Sequence, residues 1–113
     1  MRRNLLYFAP SSIFTCLAIL AFSTCLRAQS DADKLYKTNC VLCHAADGSG
    51  NSPSGKALGA KDLGSAEIQK KTDEELTGLI STGKGKMPKF GKKLKPEDIK
   101  QLVAYIRSLP NKK

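Results

Sequence analysis

Apolar residues gather into four stretches along the chain, and only the first is unbroken by charge. It is "LLYFAPSSIFTCLAILAFSTCL", residues 5–26. Further on the spacing becomes helical. In "SDADKLYKTNC", Ala32, Leu35, Tyr36 and Asn39 share one side; Ser30 is placed to cap, and Asp33 follows at capping-box distance. "KKTDEELTGLISTG" predicts a second helix, with Thr72 as N-cap, Glu75 as its capping partner, Leu76, Leu79 and Ile80 on one face, and Gly83 as the stop. "KPEDIKQLVAYIRSLP" predicts a third. Pro96 suits its first position, while Glu97 and Asp98 favour its positive end. Ile99, Leu102, Val103, Ile106 and Leu109 then form a broad apolar stripe with Tyr105 beside it, and Pro110 ends the helix.

Two segments lack any such period. From Ala46 to about Gly64 the chain is interrupted by Gly48, Gly50, Pro53, Gly55, Gly59 and Gly64, which predicts a long loop with Leu58 and Leu63 as its sparse apolar anchors. A long irregular loop in a small domain wraps something or is mobile. "GKGKMPKFGKKL" is a second loop, and Met87 and Phe90 are its substantial uncharged side chains before Leu94. No strand-like alternation occurs, so the fold class is all-α: three main helices and two long loops.

Charge and length change the reading of the first stretch. Met1-Arg2-Arg3 leads into the apolar run and Ala28 suits the position before a cleavage point, so residues 1–28 read as a signal peptide and 29–113 as the single folded domain. The run of about 22 apolar residues is also long enough to cross ~30 Å of hydrocarbon as a retained anchor. Lipidation at Cys25 is a third fate, although Phe22-Ser23-Thr24 matches that signal poorly. All three place the domain outside the cytoplasm, and export argues against a nucleic-acid partner. Loss of Arg2, Arg3 and Arg27 lowers the formal charge from +9 to +6 and leaves a basic surface suited to anionic partners. So small a domain needs something to supplement its core.

The chemistry lies in "NCVLCHAADG", where Cys40 and Cys43 precede His44, the chain's one histidine. With Cys16 and Cys25 in the signal, no disulfide framework is available. A redox dithiol would need a βαβ context, but here a helix precedes the pair. Structural zinc needs four ligands, usually from two separated clusters, and adjacent Cys43 and His44 are poorly placed for one ion. Covalent haem accounts for the whole run: two thiols add to the two vinyl groups on one porphyrin edge, and the next imidazole turns under the iron.

A second axial ligand strengthens this reading. Met87 is the one methionine beyond the signal and sits in a glycine-rich loop stiffened by Pro88. Methionine also fills gaps in ordinary cores. Together with C-x-x-C-H, however, it completes a His–Met iron site, with the haem as the surface on which Leu58, Leu63, Leu76, Leu79, Phe90 and Leu94 pack.

On these residues, and on "GKGKMPKFGKKLKPEDIKQLVAYI" above all, the chain resembles the class I c-type cytochromes of the c6 or c553 kind from about Ala32 to Leu109. The resemblance implies a small monohaem cytochrome c fold, with one covalently attached haem c: thioethers at Cys40 and Cys43, and iron ligands His44 and Met87. It implies that Tyr36 and Tyr105 meet where the first and last helices cross, with Ala32 where glycine is common. A loop carbonyl is expected to hold the outer nitrogen of His44; Pro53 is the candidate, with Gly50 and Asn51 competing.

The function implied is that of a monomeric, periplasmic electron carrier cycling between Fe(III) and Fe(II), not an enzyme. Its partners are transient redox proteins bearing an acidic docking patch. Membrane association follows only if the leader is retained or lipidated. Lys84, Lys86, Lys89, Lys92, Lys93 and Lys95 are either a solvated face or a guide toward that patch. The alternative function is a haem-based sensor or small-ligand binder in which Met87 is displaced.

Overall fold

The computed structural model describes residues 31–112. The expected signal segment and the Ser30 cap lie outside the described residues. The described chain is all-α, with three longer helices and no strand beyond an isolated bridge between Lys84 and Met87. Helix α1 runs through 31–39, followed by α2 (Val41–His44), α3 (Pro53–Leu58), α4 (Ala66–Gln69), α5 (Asp73–Thr82) and α6 (Pro96–Ser108). A 3-10 turn, Leu109–Lys112, closes the described chain.

The helix ends follow their local chemistry. Thr72 Oγ1 accepts the Glu75 N–H at 3.1 Å, and Glu75 Oε2 accepts the Thr72 N–H at 2.7 Å, the reciprocal pair that starts α5. Gly83, with φ +69°, ends it. Pro96 occupies the first turn of α6, where its missing N–H costs nothing, and Asp98 Oδ2 accepts the Lys95 N–H at 3.0 Å.

α6 is the central support. Ile99, Leu102, Val103 and Ile106 recur on one face and are buried with Tyr105. α5 packs on it through Leu76 and Ile80, while Ala32 and Tyr36 bring α1 into the same core. Leu109 is fully buried just past the helix end. Arg107 ties α6 to the 69–73 segment, donating to the Gln69 and Lys71 carbonyls and to Asp73 Oδ1.

The segment 46–64 is less irregular than its glycines predict. Ser52 caps and Pro53 opens the short α3, which Gly59 ends with φ +70°. α3 packs on α2. Leu63 joins the core, while Leu58, at the last position of α3, presents its side chain 44% exposed. Phe90 is buried, its N–H donating to the Ile80 carbonyl at 3.0 Å.

Candidate functional site

Cys40, Cys43 and His44 are delivered together by the single turn of α2, directly after α1. Both cysteines are free thiols and partly buried. Burial chiefly, with Cys43 beside it, pushes the Cys40 thiol up to about 11. The Lys93 charge acts on it in the opposite sense, placing the methionine loop within electrostatic reach of this cysteine.

The orientation of His44 is set by one contact. Its Nδ1 lies 3.0 Å from the carbonyl oxygen of Lys61. A carbonyl only accepts, so Nδ1 carries the proton and the lone pair remains on Nε2. Burial lowers the ring's pKa below its ordinary value, and the bond to Lys61 opposes that shift. A neutral imidazole with a free Nε2 lone pair results.

Here the sequence expectation is corrected. Pro53 does not supply the carbonyl that meets His44, because it is drawn into the first turn of α3, as its fixed φ favours. The partner is Lys61, two residues past Gly59. No side-chain signal marks it, since every residue carries a carbonyl.

Two further residues hold α2 in place. Ser52 Oγ accepts the Gly55 N–H at 2.9 Å and turns its own hydrogen to the carbonyls at the end of α2, 2.6 Å from Leu42 O and 3.0 Å from Cys43 O. The pair Ser52-Pro53 is a helix-start signature that marks the cap of α3, while its bonds to α2 carry no local signal. Ala45 follows His44 with φ +61° and ψ 168°, a region almost reserved for glycine. It is held there by its N–H to Val41 O at 3.0 Å and by the Tyr36 hydroxyl, which donates to its carbonyl at 2.8 Å.

Met87 arrives on the second loop. Its N–H donates to Lys84 O at 3.0 Å, closing a tight turn. At Gly83 a Cβ would come within 2.5 Å of Met87 O, so only glycine allows the loop to fold back this closely. The side chain of Met87 is half-buried against the core, as are Leu35, Cys40, Val41, Leu79 and Leu94. The six lysines around it, from Lys84 to Lys95, are all exposed.

Comparison with known proteins places this arrangement. The family model described as cytochrome c oxidase, cbb3-type, subunit III matches residues 27–106. The cytochrome c6 of Gracilaria tenuistipitata var. liui is 31% identical over 94% of this chain and 93% of its own. That of Pyropia tenera is 33% identical over 73% of this chain and 93% of its own. The chain belongs to the class I c-type cytochromes and is c6-like. Among solved structures, the KustC0563 c-type cytochrome matches with a TM-score of 0.62 and 38% identity, covering 69% of this chain and 95% of that one. The expected all-α cytochrome c fold is therefore observed, and this c-type cytochrome is an electron-transfer protein rather than an enzyme.

Family membership implies a covalently bound haem c. The residues fit that group. Two free thiols on one turn, an imidazole with its outer nitrogen engaged, and a thioether make a soft, uncharged donor set, set among half-buried apolar side chains.

Proposed function

We propose that Cys40 and Cys43 would hold one haem c through thioether bonds, that His44 Nε2 and Met87 Sδ would bind its iron, and that the protein shuttles single electrons between larger redox proteins outside the cytoplasm. The observation that carries this reading is the His44 Nδ1 contact with Lys61 O, because it leaves Nε2 alone available on the turn that bears both thiols. The bound haem supplies reversible one-electron exchange between Fe(III) and Fe(II).

The chain's own residues tune that exchange. The Lys61 carbonyl fixes the tautomer of His44 and strengthens Nε2 as a donor. A methionine thioether as the second ligand would favour a higher potential than a second histidine. With His44 and Met87 both holding the iron, the chain would leave no position there for a substrate. Leu35, Val41, Leu79 and Leu94 are half-buried against the same core as Cys40 and Met87 and offer apolar surface to the porphyrin.

The exposed lysines of the methionine loop set the choice of partner. They present positive charge on the loop that carries the ligand Met87, which speeds encounter with an acidic patch without demanding tight binding. Localisation follows the leader: the domain is exported, into the periplasm or an equivalent compartment, and membrane association depends on retention of residues 1–28. Among the described residues no helix is long and apolar enough to cross a membrane.

The test is absorption spectroscopy of protein produced with c-type haem maturation, in ferric, ferrous and CO-exposed forms. A six-coordinate low-spin spectrum that resists CO is expected. Rapid CO binding by the ferrous protein at neutral pH would instead show a displaceable Met87 and a ligand-binding function.

A further inference from the structure

Gly50 lies between the backbone of His44 and the segment that carries its imidazole partner. Its N–H donates to the His44 carbonyl at 2.9 Å, which anchors the histidine's backbone. On its other side, its α-carbon lies against the segment that brings the Lys61 carbonyl to the imidazole. A Cβ built at Gly50 would meet Ala60 O at 2.5 Å, the Ala60 carbonyl carbon at 3.1 Å and Lys61 O at 3.3 Å. Real Cβ atoms do not approach backbone oxygens at the first of these distances, and the backbone at Gly50 is itself left-handed, with φ +74°.

Two more hydrogen bonds fix the same neighbourhood. Ala60 N–H donates to Gly55 O at 2.8 Å, and Leu63 N–H donates to Gly48 O at 2.7 Å. The 60–63 segment is thus laced to the 48–55 segment on either side of Lys61, and Gly50 faces Ala60 and Lys61 between those two bonds with no room for a side chain. Any side chain there must displace Ala60 and Lys61, the stretch whose carbonyl receives the Nδ1 hydrogen.

We propose that Gly50 is a positioning residue for the iron site. Its lack of a side chain sets the length of the His44 Nδ1–H to Lys61 carbonyl bond, and through it the donor strength of Nε2. The proposal rests on the reading of His44 as an axial ligand. Its physical consequence has a definite sign. A short bond draws the Nδ1 proton toward the carbonyl, makes the ring more electron-rich and favours the ferric state; a lengthened bond weakens the donor and raises the reduction potential.

Gly59 supplies the control. It has nearly the same left-handed φ, +70°, yet a Cβ there meets nothing within 4 Å. Gly50→Ala and Gly59→Ala therefore impose similar backbone strain, and only the first adds a contact against Ala60 and Lys61.

The experiment uses the haem-loaded protein and reads two quantities: the midpoint potential by redox titration, and the exchange rate of the His44 Nδ1 proton by NMR of the reduced form. Gly50→Ala is expected to raise the potential and speed the exchange severalfold, while Gly59→Ala leaves both at wild-type values. Equal shifts in the two variants would assign the effect to strain alone and overturn the proposal, as would no shift in either. If Gly50→Ala does not accumulate with haem, Gly50→Asn carries the same contact in a residue that tolerates positive φ, and the same outcomes decide. A wild-type protein that carries no covalent haem would instead overturn the ligand assignment itself, which separates the two failures.

Discussion

The rings of Tyr36 and Tyr105 stack with their centroids 4.6 Å apart and their planes 27° apart, which locks α1 against α6. Each phenol is also tied down. Tyr105 donates to Asp33 Oδ1 at 3.2 Å, and Tyr36 donates to the carbonyl of Ala45, the residue after His44. Tyr36 thus connects the packing of α1 and α6 to the backbone of the site. Burial, chiefly, raises the pKa of both phenols, so both remain protonated donors well above neutral pH.

Tyr36→Phe keeps the stack and removes one hydrogen bond; stability should fall by about 1 kcal/mol. Tyr36→Ala empties a site that is 1% exposed and should cost about 3–5 kcal/mol. Denaturant titration of the haem-loaded variants measures both, and equal losses would show that the hydroxyl, not the packed ring, is the main contribution.

Much of this was legible in the chain. The Thr72/Glu75 box, Pro96 at the start of α6 and the stripe from Ile99 to Ile106 are local signals, and each reappears in the structure at its expected place. The meeting of Tyr36 and Tyr105 came from the family resemblance. What stayed hidden was short or made of backbone. The six residues of α3 are too few to show a period, so the surrounding glycines outweigh the Ser52-Pro53 signal. The Lys61 carbonyl has no side-chain signature, and the left-handed Ala45 looks like any alanine.

Ala45 holds φ +61° and ψ 168° without being glycine, a conformation that costs of order 1–3 kcal/mol. Ala45→Gly should relieve that strain and lose part of the gain to backbone entropy, leaving the protein about 1 kcal/mol more stable. A higher denaturation midpoint at unchanged slope is the expected result. A destabilised Ala45→Gly would mean that the methyl group makes contacts worth more than the strain.

Met87→Ala should leave the haem covalently attached while the iron becomes high-spin or water-ligated and newly accessible to CO. Absorption and electron paramagnetic resonance spectra distinguish the two states. Retention of the wild-type low-spin spectrum would exclude Met87 as the distal ligand and return it to the status of a packing residue.

Charge reversal at Lys86 and Lys89 together should slow electron exchange with an acidic redox partner by roughly tenfold or more at low ionic strength, with the difference shrinking as salt screens the field over ~10 Å. Stopped-flow rates across a salt series give the answer. Bimolecular rates that match wild type at every ionic strength would leave these lysines as a solvated surface only.

The central proposal is that Cys40 and Cys43 bind a single haem covalently, and intact mass spectrometry of the matured, fully denatured protein tests it most directly. The account predicts one haem retained on each polypeptide after denaturation and acid extraction. A bare polypeptide mass, with all porphyrin released to the solvent, would contradict it.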